Sequence, residues 1–121
     1  MMPSADAPRF SQLSVPRLTL VRLCQLTNYG YLQDLIVRDN EPILNSPHTV
    51  VFADIRLDVE ERSRDELSLP DFVLCAEFTR LLSILNEIAN GEIPKIEIRG
   101  GVPRRITIRN PAQKGTTICD Y

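Results

Sequence analysis

The spacing of apolar positions changes period along the chain, and each change marks an element. Leu20, Leu23, Cys24 and Thr27, with Val21 beside them, recur at helical spacing and predict a helix over about 17–28. Ser14 precedes Val15-Pro16-Arg17, and proline suits a helix's first turn. Gly30 then stands where a left-handed residue would end the helix. Tyr31 to Arg38 is rich in strand formers. Asp39-Asn40 is a two-residue turn in which both residues tolerate positive φ. Pro42-Ile43-Leu44 reads as a short return strand. It belongs on an edge or in a bulge, because Pro42 has no N–H to donate. Asn45-Ser46-Pro47-His48 breaks the chain.

Residues 49–60 alternate most cleanly. Val51, Ala53, Ile55, Leu57 and Val59 interleave with Phe52, Asp54, Arg56, Asp58 and Glu60, which predicts a strand with one face in water. The charged stretch Glu60 to Glu66 reads as a solvated loop. Ser68-Leu69-Pro70-Asp71 resembles a helix start. Leu74, Phe78, Leu81, Leu82, Leu85, Ile88 and Ala89 then lie on one stripe of the longest predicted helix, ended by Gly91. Ile93, Ile96 and Ile98 begin a strand, Gly100-Gly101 allows a tight turn, and Ile106 and Ile108 return. The chain reads as a single domain over 1–121. It comprises a flexible arm at 1–13, a helix–hairpin unit at 17–44, a joining strand at 49–60, a second unit at 71–109 and a loose tail at 110–121.

The two units echo each other at a constant offset of 61. Leu20 meets Leu81, Gly30 meets Gly91, Leu32 meets Ile93, Leu35 meets Ile96 and Val37 meets Ile98. Arg38 meets Arg99, the Asp39-Asn40 turn meets Gly100-Gly101, and Pro42 meets Pro103. One unit alone exposes a face of its hairpin and a stripe of its helix, whereas two can cover each other. The expected fold is therefore α+β, an internal duplication with two helices packed on one face of an antiparallel sheet of about five strands. Within the second unit, Ile88-Ala89-Asn90-Gly91-Glu92-Ile93, Ile96-Glu97-Ile98-Arg99 and Gly101-Val102-Pro103 resemble the short bacterial YezD-like domains of unknown function. The resemblance spans Leu81 to Ile108, under a quarter of the chain. It implies a small bacterial cytosolic protein without known catalysis, and no site residue.

Charge is uneven. Lys95 to Tyr121 holds six basic and two acidic residues, a local charge of +4, against −6 for the rest and −2 overall. Such an end attracts phosphate, an acidic partner or the acidic part of a second copy. No apolar run nears the ~20 residues of a membrane span. Met1 to Asp6 has neither a basic stretch nor an apolar core, so the expectation is a cytoplasmic chain without signal peptide. Three cysteines do not make a disulfide framework. Cys24 and Cys75 lie among apolar residues and read as buried helical positions, and Cys119 as exposed.

Candidate chemistry is sparse. His48 is the only histidine, and no second histidine or cysteine cluster accompanies it; no metal, cofactor or catalytic set is expected. Asp54, Asp58 and Glu60 share one strand face, but Arg56 between them points to a balanced, solvated face rather than a cation site. Three functional readings follow. The first is a non-catalytic protein-interaction or regulatory module, a homodimer or bound to another protein, because the short apolar strands have edges that need partners. The second is a nucleic-acid-binding regulator using the basic hairpin Lys95–Arg109 through Arg99, Arg104, Arg105 and Arg109, with Arg105 and Arg109 projecting together. The third is a small ligand-binding protein or hydrolase with a cleft near Tyr29, Tyr31 and His48.

Overall fold

Residues 8–58 and 65–109 are described by a computed structural model. The expected tail, residues 1–7 of the expected arm, and Glu60 with most of the charged loop lie outside them. The elements run α1 (Val15–Thr27), β1 (Tyr29–Arg38), β2 (Glu41–Ile43), β3 (Val50–Ala53), α2 (Ala76–Ile88), β4 (Gly91–Arg99) and β5 (Val102–Thr107), with short 3-10 turns at Phe10–Gln12 and Asp65–Ser68.

The fold is α+β, with two helices on an antiparallel five-stranded sheet of order β2-β1-β4-β5. β3 also pairs with β1, on the edge that β2 uses farther along. Leu32, Leu35 and Val37 of β1 and Ile93, Ile96 and Ile98 of β4 are fully buried against Leu20, Val21 and Cys24 of α1 and Phe78, Leu81 and Leu85 of α2. The buried positions are three apart, then two, in both strands. At Asp34, with φ 57°, the pleat of β1 changes phase, and this keeps Leu32 and Leu35 on one face.

The offset of 61 reappears in the element bounds. Shifted by it, 15–27 falls on Ala76–Ile88, and the turn Asp39-Asn40 falls on Gly100-Gly101; all four turn residues have positive φ. The β1–β4 register pairs Leu32 with Ile96 and Leu35 with Ile93, and the shift exchanges those two pairs. Backbone hydrogen bonds repeat it reciprocally. The Asn40 N–H donates to the Ala89 carbonyl at the end of α2, and the Gly101 N–H donates to the Asn28 carbonyl at the end of α1, both at 2.9 Å. Each turn thus satisfies an orphan carbonyl at the end of the other unit's helix.

Several expectations are corrected. The helix-ending residues are Asn28 (φ 65°) and Ala89 (φ 59°), not Gly30 and Gly91, which lie within the first two residues of strands. The second helix begins at Ala76 rather than near Asp71, because residues 71–74 are engaged elsewhere: Phe10 N–H donates to the Phe72 carbonyl at 2.8 Å and Leu74 N–H to the Pro8 carbonyl at 2.9 Å. The same contacts dock residues 8–13, expected to be part of a flexible arm. Phe10 is buried, stacks on Phe72 at 4.8 Å, and lies under the Arg22 guanidinium at 4.2 Å. Cys24 is buried as expected, and burial pushes its thiol up to about 12. Cys75 is exposed at the N-terminus of α2 rather than buried within it. Cys119 lies outside the described residues. The joining strand is four residues long, not twelve. Its partner runs out: Asp54 N–H donates to the carbonyl of Tyr29, the first residue of β1, and beyond that β1 gives way to α1.

Candidate interaction surface

The sheet face away from the helices carries a row from β3 through β1 and β4 to β5, in which Phe52, Tyr31, Glu97 and Arg105 stand opposite one another in turn. Tyr31 stacks on Phe52 at 4.7 Å, and the Lys95 ammonium sits over the Tyr31 ring at 4.7 Å. Both contacts engage the ring, so Tyr31 ties β1 to β3 and β4.

Tyr29 and Tyr31 line a cleft of about 290 Å³ with Asp54, Lys95, Glu97 and Arg99. His48 does not line it. It is exposed in the turn before β3, where its backbone N–H donates to Ser46 Oγ at 3.1 Å. A second cleft of about 580 Å³ lies at the opposite end of the central strands, lined by Ile36, Val37, Arg38, Asn90, Gly91 and Glu92, with Arg109. The first six are the counterparts, at the offset of 61, of Glu97, Ile98, Arg99, Tyr29, Gly30 and Tyr31. Asp54 adds to the wall of the first cleft, just past β3.

Of the four candidate arginines, Arg104 and Arg105 line one shallow cleft with Glu77 and Arg80, and the other two lie apart from them. Arg104 turns to the helix layer and bonds Glu77 Oε2 at 2.7 Å. Arg105 stands opposite Glu97, Arg99 opposite Tyr29, and Arg109 lines the far cleft. The expectation that Arg105 and Arg109 project together fails because β5 ends at Thr107. Among the described residues no three His, Cys, Asp or Glu side chains are grouped to hold a metal. Arg56 binds Asp58 through two hydrogen bonds, at 2.7 and 3.1 Å, and holds that carboxyl below the usual carboxylate range.

A feature that sequence reasoning assigned to the core is instead on the surface. All four residues of β3 are exposed, and past it Ile55 is 68% and Leu57 95% exposed. In a strand meant for one buried face, this is the face the core does not cover. Gly30 makes the arrangement possible: a Cβ there would overlap the Phe52 carbonyl oxygen, so only glycine lets the β3 backbone approach β1. Among the described residues, the outer side of β3 pairs with no strand. An apolar edge of this kind is a template for another strand. The clean alternation of 49–60 was the signal for it; the missing information was how far β1 reaches.

No family model, no curated protein and no solved structure matches this chain. Among the described residues, no helix is long and apolar enough to cross a membrane.

Proposed function

We propose that this protein is a non-catalytic interaction or regulatory module acting as a homodimer, and that it associates through β3 and the residues just after it. The observation that carries this reading is the run Val50, Val51, Phe52, Ile55 and Leu57, each at least 38% exposed, on the sheet edge. A row of exposed apolar side chains beside unpaired backbone groups is the surface a partner strand covers. Sedimentation velocity across micromolar concentrations tests it. The wild type is expected as a dimer, and a Val51→Lys, Ile55→Lys variant as a folded monomer. A wild type that stays monomeric overturns the reading.

We also infer that the chain arose by duplication of one helix–hairpin unit. Equal helix bounds, the exchanged register pairs and the reciprocal turn-to-helix hydrogen bonds, all at one offset, support it. The resemblance of Leu81 to Ile108 to YezD-like domains supports a bacterial, cytoplasmic setting.

A further inference from the structure

We propose that two copies pair antiparallel through residues 52–58, with Ile55 on the twofold axis, so that Asp54 of each copy faces Arg56 of the other. This inference rests on the reading of β3 as the associating edge and assigns its register.

Three observations select that register. First, Asp54 N–H donates to Tyr29 O at 2.7 Å. Val50, Phe52 and Asp54 therefore turn their backbone groups to β1, Val51 and Ala53 turn theirs outward, and continuing the alternation turns Ile55 outward as well. A partner strand must then set odd residues opposite odd. Second, the apolar side chains past β1's reach are the odd ones, Ile55 and Leu57, and both are exposed. Centring on Ile55 sets Ile55 against itself and Leu57 against Ala53, on the face continuous with Val51. Third, of the centres from Ala53 to Leu57, only Ile55 opposes unlike charges without also opposing like ones, since Leu57 sets Arg56 against Asp58 but Asp54 against Glu60. A centre at Asp54 puts two carboxylates face to face. A centre at Arg56 opposes two guanidinium groups, and Asp54 meets Asp58. A centre at Ala53 sets Asp54 against Phe52. With Ile55 central, each Arg56 already held by Asp58 of its own copy gains Asp54 of the other, and the dimer contains two such triads. Opposite charges directly across an antiparallel pair stabilise it, and like charges destabilise it.

The pairing also gives residues 54–58 the strand partner that β1 does not extend far enough to provide. The strand predicted over 49–60 is then continued as far as Asp58 between copies rather than within one.

Charge exchange and cross-linking test the register. Asp54→Arg alone and Arg56→Asp alone are each expected to weaken self-association about tenfold, because two favourable cross-strand pairs become two repulsive ones. The double variant Asp54→Arg, Arg56→Asp restores opposite charges and is expected to return near wild-type affinity. In a Cys75→Ser, Cys119→Ser background, Ile55→Cys is expected to form a disulfide-linked dimer in air, since residues facing each other across such a pair lie about 5.5 Å apart, within disulfide reach. Dimerisation that is lost in the Val51→Lys, Ile55→Lys variant, but neither rescued by the double exchange nor trapped by Ile55→Cys, overturns the register and leaves the edge reading standing. Cross-linking through Phe52→Cys in place of Ile55→Cys overturns it in the same way. A wild type that is monomeric overturns both.

Discussion

Gly30 shows how one missing Cβ shapes the surface. Its counterpart at the offset of 61, Gly91, pairs with Val37 of β1, yet a Cβ there would meet only the Ile88 side chain. Gly30→Ala must push β3 away from β1, and overpacking of this kind costs about 1–3 kcal/mol. The expected result is a lower denaturation midpoint together with loss of hydrogen-exchange protection at residues 50–53. Unchanged protection there would show that the close approach is not needed. The glycine is conspicuous in the sequence, but its reason is not. Helix-ending and strand-opening glycines occupy adjacent places, and only the position of the Phe52 carbonyl separates the two roles. Asn28 and Ala89 carry the left-handed conformation instead, and an alanine gives no sign of it.

At the scale of elements, hairpins and helices were legible because their signals are local. Turn residues, helical spacing and alternating aliphatics act within a few neighbours, so α1, β1, β2, β4 and β5 fall close to where the pattern puts them. The start of α2 and the extent of β3 were not legible, since both depend on contacts remote in sequence. Residues 71–74 are held by 8–11, where Arg9 Nε donates to Asp71 Oδ2 at 2.8 Å and Ser11 N–H donates to Asp71 Oδ1 at 2.8 Å. The Arg9 hydrogen bond, then the Ser11 N–H, lower the Asp71 carboxyl to about 2. Its folded value lies below the unfolded one of about 3.9, so the stabilisation is present above pH 4 and is lost as pH falls toward 2. Exchange protection in residues 8–13 is accordingly expected to fall between pH 4 and pH 2. Asp71→Asn should remove that pH dependence, and protection that stays constant through this range would exclude Asp71 as the anchor.

Across the whole molecule, the two units build one core rather than two. Leu20 and Leu81 occupy equivalent places in α1 and α2, are 0% and 3% exposed, and belong to the same buried cluster. Truncating either to alanine is expected to cost about 2–5 kcal/mol. Each variant is also expected to unfold in a single denaturant transition followed alike by near- and far-ultraviolet circular dichroism. Two separate transitions would mean the units stand alone. The candidate surface was only half legible at this scale. The tyrosines at the start of β1 line a cleft with Arg99, yet His48 and the other three candidate arginines do not join them. Proximity along the chain does not say which face of a sheet, or which end, a side chain will occupy.

The reciprocal bonding of turns to helix ends has a bearing on how this chain tolerates being shortened. Each half lends its loop as the lid on the other's final carbonyls, so an isolated half would lose the β1–β4 pairing and leave its own helix unclosed as well. Trimming at the outer ends is therefore a milder injury than removing either hairpin tip, where the loss of two residues undoes the far end of a segment that never touches them in sequence.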